Sequence, residues 1–180
     1  MTISFRPIRR DDFADIVRWH EAPHAARWFA DGPRGLAGVE ACLGPCIDGE
    51  DPTKVFVVLI DGTSAGYAQH YLVEDDPPYR EAVGADATSA AIDFIIGDEA
   101  MTGKGLGPLM LARFIRDIVL PAYPWVRRVI ASPDARNERS LRTLEKVGFR
   151  RGDVFMPDGN HPPERSCVLE VDDGGKTSRG

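Results

Sequence analysis

Apolar positions recur along this chain with two periods. Val55-Phe56-Val57-Val58-Leu59-Ile60 is a β-branched run, and Ala65-Gly66-Tyr67-Ala68-Gln69-His70-Tyr71-Leu72-Val73 follows it after Asp61-Gly62. Asp-Gly between two such runs predicts a hairpin, here with a few extra loop residues. Shorter strand patterns stand at Phe5–Ile8, Ala90–Ile96, Arg128–Ala131, Val154–Met156 and Cys167–Val171. The helical period takes over at Leu111, Phe114, Ile115, Ile118 and Val119, one apolar stripe that Leu120-Pro121 is expected to end. Asp11 to Trp19 predicts a helix with acidic residues in its first turn, and a weaker helical pattern lies around Leu36 to Leu43. Between Asn137, a natural cap, and Gly148, a natural stop, lies a further helix. The acidic, proline-containing stretch from Glu74 to Ala87 reads as a loop.

At 180 residues, 43% of them apolar, the chain suits one globular domain, expected over residues 1–171 with a mobile polar tail at 172–180. Its formal charge of −6 argues against general nucleic-acid binding, and no apolar run is long enough for a membrane span. The first ten residues lack the apolar core of a secretion signal, so the expected location is cytoplasmic. Cys42, Cys46 and Cys167 make neither a disulfide framework nor a metal cluster, and Gly44-Pro45 should break any helix carrying the first two. No metal is expected.

Chemistry concentrates around Thr102-Gly103-Lys104-Gly105-Leu106-Gly107. A glycine-rich turn that opens a helix lets backbone N–H groups close on a diphosphate, where the helix dipole also favours negative charge. The spacing is not that of a triphosphate loop, because Lys104 precedes the glycine pair and no hydroxyl follows for magnesium. Asp93 stands in an otherwise apolar strand, where an unpaired carboxylate would cost several kcal/mol. A purely structural role in the core is therefore expensive at that place, which marks Asp93 as a candidate functional residue. From Glu74 to Glu99 eight acidic residues face one basic residue, Arg80, a run that is either a solvated loop or a field for a polycation.

The order of these motifs resembles the GNAT superfamily of acyl-CoA-dependent N-acetyltransferases. The glycine turn matches that family's signature except at Thr102, and Asn137, Ser140, Leu144, Lys146, Gly148 and Phe149 match its second signature about thirty residues later. Within the superfamily the chain is similar to aminoglycoside 6′-N-acetyltransferases, from about Trp19 to Asp158. The resemblance implies a single α/β domain: a mixed, mostly antiparallel sheet, splayed at the cofactor site, with helices on both faces. It implies acetyl-CoA as co-substrate, held by Thr102, Gly103, Lys104, Gly105, Leu106 and Gly107, with Asn137 on the pantetheine arm. Arg113, Arg136, Arg139 and Arg142 are candidates for its 3′-phosphate or adenine, and Arg142 is the one assigned. Trp28, Tyr67, Gln69, Asp93 and Asp158 are implied as acceptor contacts, and Asp93 is implied to handle the substrate amine, first as anchor for its ammonium group and second as general base.

The chain departs from the family pattern in two places. Leu144 occupies the place of the usual proton-donating tyrosine, so Tyr67 or water is the expected substitute. Ser132-Pro133 stands where close relatives carry aspartate before proline, and Asp134 is displaced by two residues. A backbone amide of the Asp93 strand is expected to meet the oxyanion, and direct transfer without an acyl-enzyme is expected because no cysteine lies in the motif region. The partner is then a small-molecule amine, most simply an aminoglycoside. A protein N-terminus, a lysine-type amine in siderophore assembly and a catalytically silent CoA-binding domain are the alternatives.

Overall fold

The computed structural model describes residues 1–28, 32–157 and 161–171. Asp158 and the tail at 172–180, both singled out above, lie outside them. Seven strands form one open sheet: β1 (Ile3–Pro7), β2 (Lys54–Ile60), β3 (Thr63–Leu72), β4 (Ser89–Ile96), β5 (Arg128–Ala131), β6 (Arg150–Phe155) and β7 (Glu164–Glu170), ordered β1-β2-β3-β4-β5-β7-β6. The β1–β2, β2–β3, β5–β7 and β6–β7 ladders are antiparallel, whereas β4 and β5 run parallel. The fold is the mixed, mostly antiparallel α/β architecture expected. The parallel ladder comprises only Ser89–Arg128, Ala90–Val129 and Ala91–Ile130, although β4 continues to Ile96. Asp93 thus lies two residues beyond the last rung, where β4 has left its partner.

Contacts divide the chain into two compact units, one of Met1–His70 with Phe94–Met110, the other of Tyr71–Asp93 with residues from Leu111 onward. In the first unit, α1 (Phe13–Glu21), α2 (Pro23–Ala26) and α3 (Gly35–Asp48) accompany β1, β2 and most of β3. Its core joins Ile16 and Trp19 of α1 to Val39 and Leu43 of α3 and to Val57, Tyr67 and Ile95. Helix α3 runs through Gly44-Pro45, against the expected break. A proline inside a helix costs roughly 3 kcal/mol. Here Val39, Leu43, Cys46 and Ile47 all pack on the core at helical spacing, so burial outweighs the local penalty. The β2–β3 hairpin has no extra loop residues. Ile60 pairs with Thr63, and Asp61 and Gly62 supply the two positive φ angles, 48° and 82°, of a tight primed turn.

In the second unit the stretch expected as a loop contains α4 (Pro77–Ala82). Asp76 caps it, accepting from the Tyr79 amide at 3.1 Å, and Pro77 occupies the first turn, where its missing N–H costs nothing. A long helix begins as α5 (Leu106–Phe114), widens into π geometry at Ile115–Val119 and ends as α6 (Leu120–Ala122). It stops at Ala122, one residue past the expected Leu120-Pro121 end. Helix α7 (Glu138–Val147) has the expected bounds, with Asn137 accepting from the Ser140 amide at 3.1 Å and Gly148 left-handed at φ 112°. Among the described residues no helix is long and apolar enough to cross a membrane.

Candidate functional site

The glycine turn has the geometry of an anion cradle. Gly103 and Gly105 take left-handed φ angles of 74° and 73°, and an added Cβ at either would meet nothing within 4 Å. Alternation of this kind turns successive amides toward one side, a nest for oxyanions. Among the described residues, no loop hydrogen bond is donated by the amides of Gly103, Lys104 or Gly105. Leu106 and Gly107 open α5, so the helix contributes its first free N–H groups and its dipole at the same place. Thr102, where the family signature carries a long polar side chain, turns its hydroxyl inward to the Glu99 carbonyl at 2.8 Å. The cradle is made of main chain, and the residues present fit a diphosphate.

Several expected acceptor contacts belong to the first unit. Tyr67 is 8% exposed within the apolar core; its hydroxyl meets His20 Nε2 at 2.9 Å, and the two rings stack at 5.8 Å. Burial lowers the His20 pKa, so this imidazole is neutral near pH 7. Gln69, on the same strand face as Tyr67, is half-buried opposite Val55. Trp28 is partly exposed, with the Arg27 guanidinium 4.5 Å from its ring centroid.

The second unit gathers an acidic and aromatic cluster. Ala91, Ile130 and Val168 lie level across β4, β5 and β7 and pack with Val73, Tyr71 and Tyr79. Asp93 is two residues beyond Ala91 on that face, half-buried. On β7, Glu164 is four residues before Val168, so the period of two puts it on the same face. Glu164 pairs with Phe155 across β6, and Phe155 packs on Tyr79 with ring centroids 6.1 Å apart. Tyr79 and Ser132 share a hydrogen bond of 2.7 Å. The Glu164 carboxyl is pushed up to about 7, first by burial, then by the charge of Asp93, with His161 opposing and Asp134 adding. Burial and the Asp93 charge also raise the Tyr71 phenol, and burial raises that of Tyr79, so both stay protonated at neutral pH.

The residues flagged for their departures from the family pattern are otherwise engaged. Asp134 holds Arg136 through two bonds of 3.0 and 2.7 Å, which keeps its carboxyl below the usual range and occupies one of the candidate arginines. Arg139 and Arg142 are exposed on α7. Leu144 is fully buried, so nothing at its place donates a proton. Within the acidic run, Asp76 and Asp98 cap helices, and Asp86 binds the Thr88 hydroxyl at 2.6 Å. Burial pushes the Cys46 and Cys167 thiols up to about 11, which leaves neither as a ready nucleophile. Sequence reasoning passed over Glu164, Tyr71, Tyr79 and Phe155. The only signal for Glu164 was a lone acid at the start of an alternating strand.

Curated relatives bear the name lysine N-acyltransferase MbtK. That of Mycolicibacterium paratuberculosis is 28% identical over 170 residues, 94% of this chain and 73% of that protein. That of Mycobacterium tuberculosis is 27% identical over 136 residues, and the match spans 75% of this chain and 62% of that protein. Solved structures of aminoglycoside acetyltransferase AAC(6′)-Ib also match. With coenzyme A, the identity is 24% and the TM-score 0.80, over 94% of this chain and 95% of that one. With coenzyme A and kanamycin, the identity is 25% and the TM-score 0.77, again over 94% and 95%. Residues 9–156 match the model of the acetyltransferase (GNAT) domain, and the chain belongs to that family of acyl-transferring enzymes.

Proposed function

We propose that this protein transfers an acetyl group from acetyl-CoA directly to a primary amine on a polycationic small molecule, an aminoglycoside 6′-amine being the leading acceptor. The observation that carries the reading is the pairing of two half-buried carboxyl groups, Asp93 and Glu164, with aromatic side chains on one sheet face. A buried anion pair is costly alone and favourable beside a cation. Acetyl-CoA supplies the thioester whose acyl carbon the amine attacks. The amides of Lys104, Gly105, Leu106 and Gly107 hold its diphosphate, Asn137 keeps its side-chain N–H for the pantetheine arm while its oxygen caps α7, and exposed Arg142 faces the outer phosphate. Asp93 anchors the acceptor's ammonium group; Trp28, Gln69 and Asp158 contribute to acceptor recognition. With Leu144 apolar and the thiols protonated, the departing sulfur takes its proton from water or from the Tyr67 hydroxyl, and no acyl-enzyme forms.

A second reading, acylation of a lysine-type ε-amine, is favoured by the 28% identity to a lysine N-acyltransferase. Thiol release from acetyl-CoA, measured with kanamycin-class aminoglycosides, polyamines, L-lysine and a peptide N-terminus, separates the two. Turnover confined to lysine replaces the first reading with the second. Coenzyme binding with no turnover on any amine overturns both.

A further inference from the structure

We propose that Glu164 is the base that takes the proton from the acceptor's ammonium group, while Asp93 beside it holds that group in place. The inference rests on the amine-acceptor reading and adds to it the residue that makes the amine nucleophilic. The Ala91–Ile130–Val168 level is the last that β4, β5 and β7 share, and Asp93 and Glu164 both lie beyond it at the same end and on the same face. Glu164 is held there by main chain on two sides. It pairs with Phe155 across β6, and the segment after β5 bridges back to it at Asp134. The neighbouring bonds Ala135 N–H to the Pro163 carbonyl at 2.8 Å and Arg165 N–H to the Pro133 carbonyl at 2.9 Å fix the same corner. Among the described residues no hydrogen bond or ion pair engages the Glu164 carboxylate.

The groups facing Glu164 sort themselves by chemistry. From β4 comes Asp93; from the segment after β5 comes Asp134, which is bound by Arg136. From β3 and α4 come the phenols Tyr71 and Tyr79, both kept protonated, and from the segment preceding β7 comes His161. An ordinary carboxylate is a weak base for an ammonium ion, because its pKa lies far below neutral. Glu164 is different: burial and the Asp93 charge let it hold a proton near pH 7. Once it has taken that proton, the pair carries one proton and one negative charge, the state that mutual repulsion favours.

The ammonium nitrogen gives one proton to Glu164, and its freed electron pair forms the C–N bond to the thioester carbon. The C–S bond breaks with its electrons on sulfur, which takes a proton from water or the Tyr67 hydroxyl, and the second nitrogen proton restores that donor. Glu164 then returns its proton to water.

The test compares wild type, E164Q and E164D with whichever of kanamycin or L-lysine turns over better. E164Q is expected to lower kcat about 10²-fold with the acceptor KM little changed. It should also erase the acid limb of kcat/KM that is expected for wild type at about pH 7. E164D restores part of the rate. A carbon-13 titration of the Glu164 carboxyl in the protein alone should show a midpoint near neutrality, and thermal melts establish that E164Q is folded. An E164Q enzyme with unchanged kcat and an unchanged acid limb overturns the proposal, as does a Glu164 midpoint in the ordinary carboxylate range. Those outcomes leave the amine-acceptor reading standing. A wild type that acylates no amine brings down that reading, and this inference with it.

Discussion

Replacing Glu164 with glutamine removes an ionisable group while keeping the side chain's size, so its effect on stability should depend on pH in a calculable way. The native carboxyl is raised from 4.5 to about 7, chiefly by burial and next by Asp93. A carboxyl raised by folding contributes stability that is complete below its unfolded pKa and is lost as pH rises through its folded pKa. The window is therefore pH 4.5 to about 7, with wild type less stable above it than below. At 1.36 kcal/mol per unit the shift corresponds to about 3 kcal/mol as an upper bound. Glu164 is only half-buried, and water screens part of this, leaving about 1–2 kcal/mol. Urea melts of wild type and E164Q at pH 4.5, 6 and 8 should show glutamine neutral or slightly unfavourable at the acid end and stabilising by about that amount at pH 8. D93N, which removes the second cause, should stabilise in the same window and add less than fully to E164Q, because each variant relieves the same repulsion. If the two melts differ equally at pH 4.5 and pH 8, the carboxyl is not perturbed by folding and the reasoning fails.

His70 should show the opposite sign. It is 2% exposed, and burial, with a smaller contribution from Lys54, lowers it from 6.5 to about 4. Its contribution is present above pH 6.5 and lost as pH falls toward 4, so H70N should flatten the stability drop between pH 7 and pH 5 by about 2 kcal/mol in thermal melts. Gly105→Ala adds a Cβ in open space but at a φ of 73°, so the cost is conformational, about 1 kcal/mol. Calorimetry should find coenzyme A bound about fivefold more weakly by that variant, and unchanged affinity would count against the cradle. Asn137→Ala removes the α7 cap and should cost about 1 kcal/mol in a urea melt; a loss in kcat/KM for acetyl-CoA beyond that would mark the second role of Asn137.

Legibility in the sequence followed how local each determinant is. The bounds of α7 were readable because Asn137 and Gly148 act on the helix they terminate. β5 was readable because Arg128–Ala131 is a short apolar run between polar turns. Helix α3 was misjudged at Gly44-Pro45, since the compensating contacts of Val39, Leu43, Cys46 and Ile47 are tertiary. Helix α4 was missed although Asp76-Pro77 is a start signal, because its six residues carry no apolar period long enough to register. Asp93 could be singled out as a charge among apolar neighbours on its own strand. Glu164 could not, because it sits beside Arg165 in a mixed segment and acquires its properties first from burial and then from Asp93, about seventy residues earlier in the chain.

The same distinction separates the two halves of the chemistry. A diphosphate can be held by amides, which every residue carries, so the sequence need encode only a backbone shape, and two glycines at positive φ are enough to announce it. An ammonium acceptor must be held by carboxylates, and those draw their affinity and basicity from whichever strands the register brings level. Ser132, after β5, is bonded to Tyr79, and Asp134 is bound by Arg136. With both removed from service, the proposed partner of Asp93 is the residue that the Asp134 bridge itself positions, Glu164. On this reading, acceptor choice would change by moving a carboxylate from one strand to the next, while the glycine turn proposed to hold the coenzyme stays as it is.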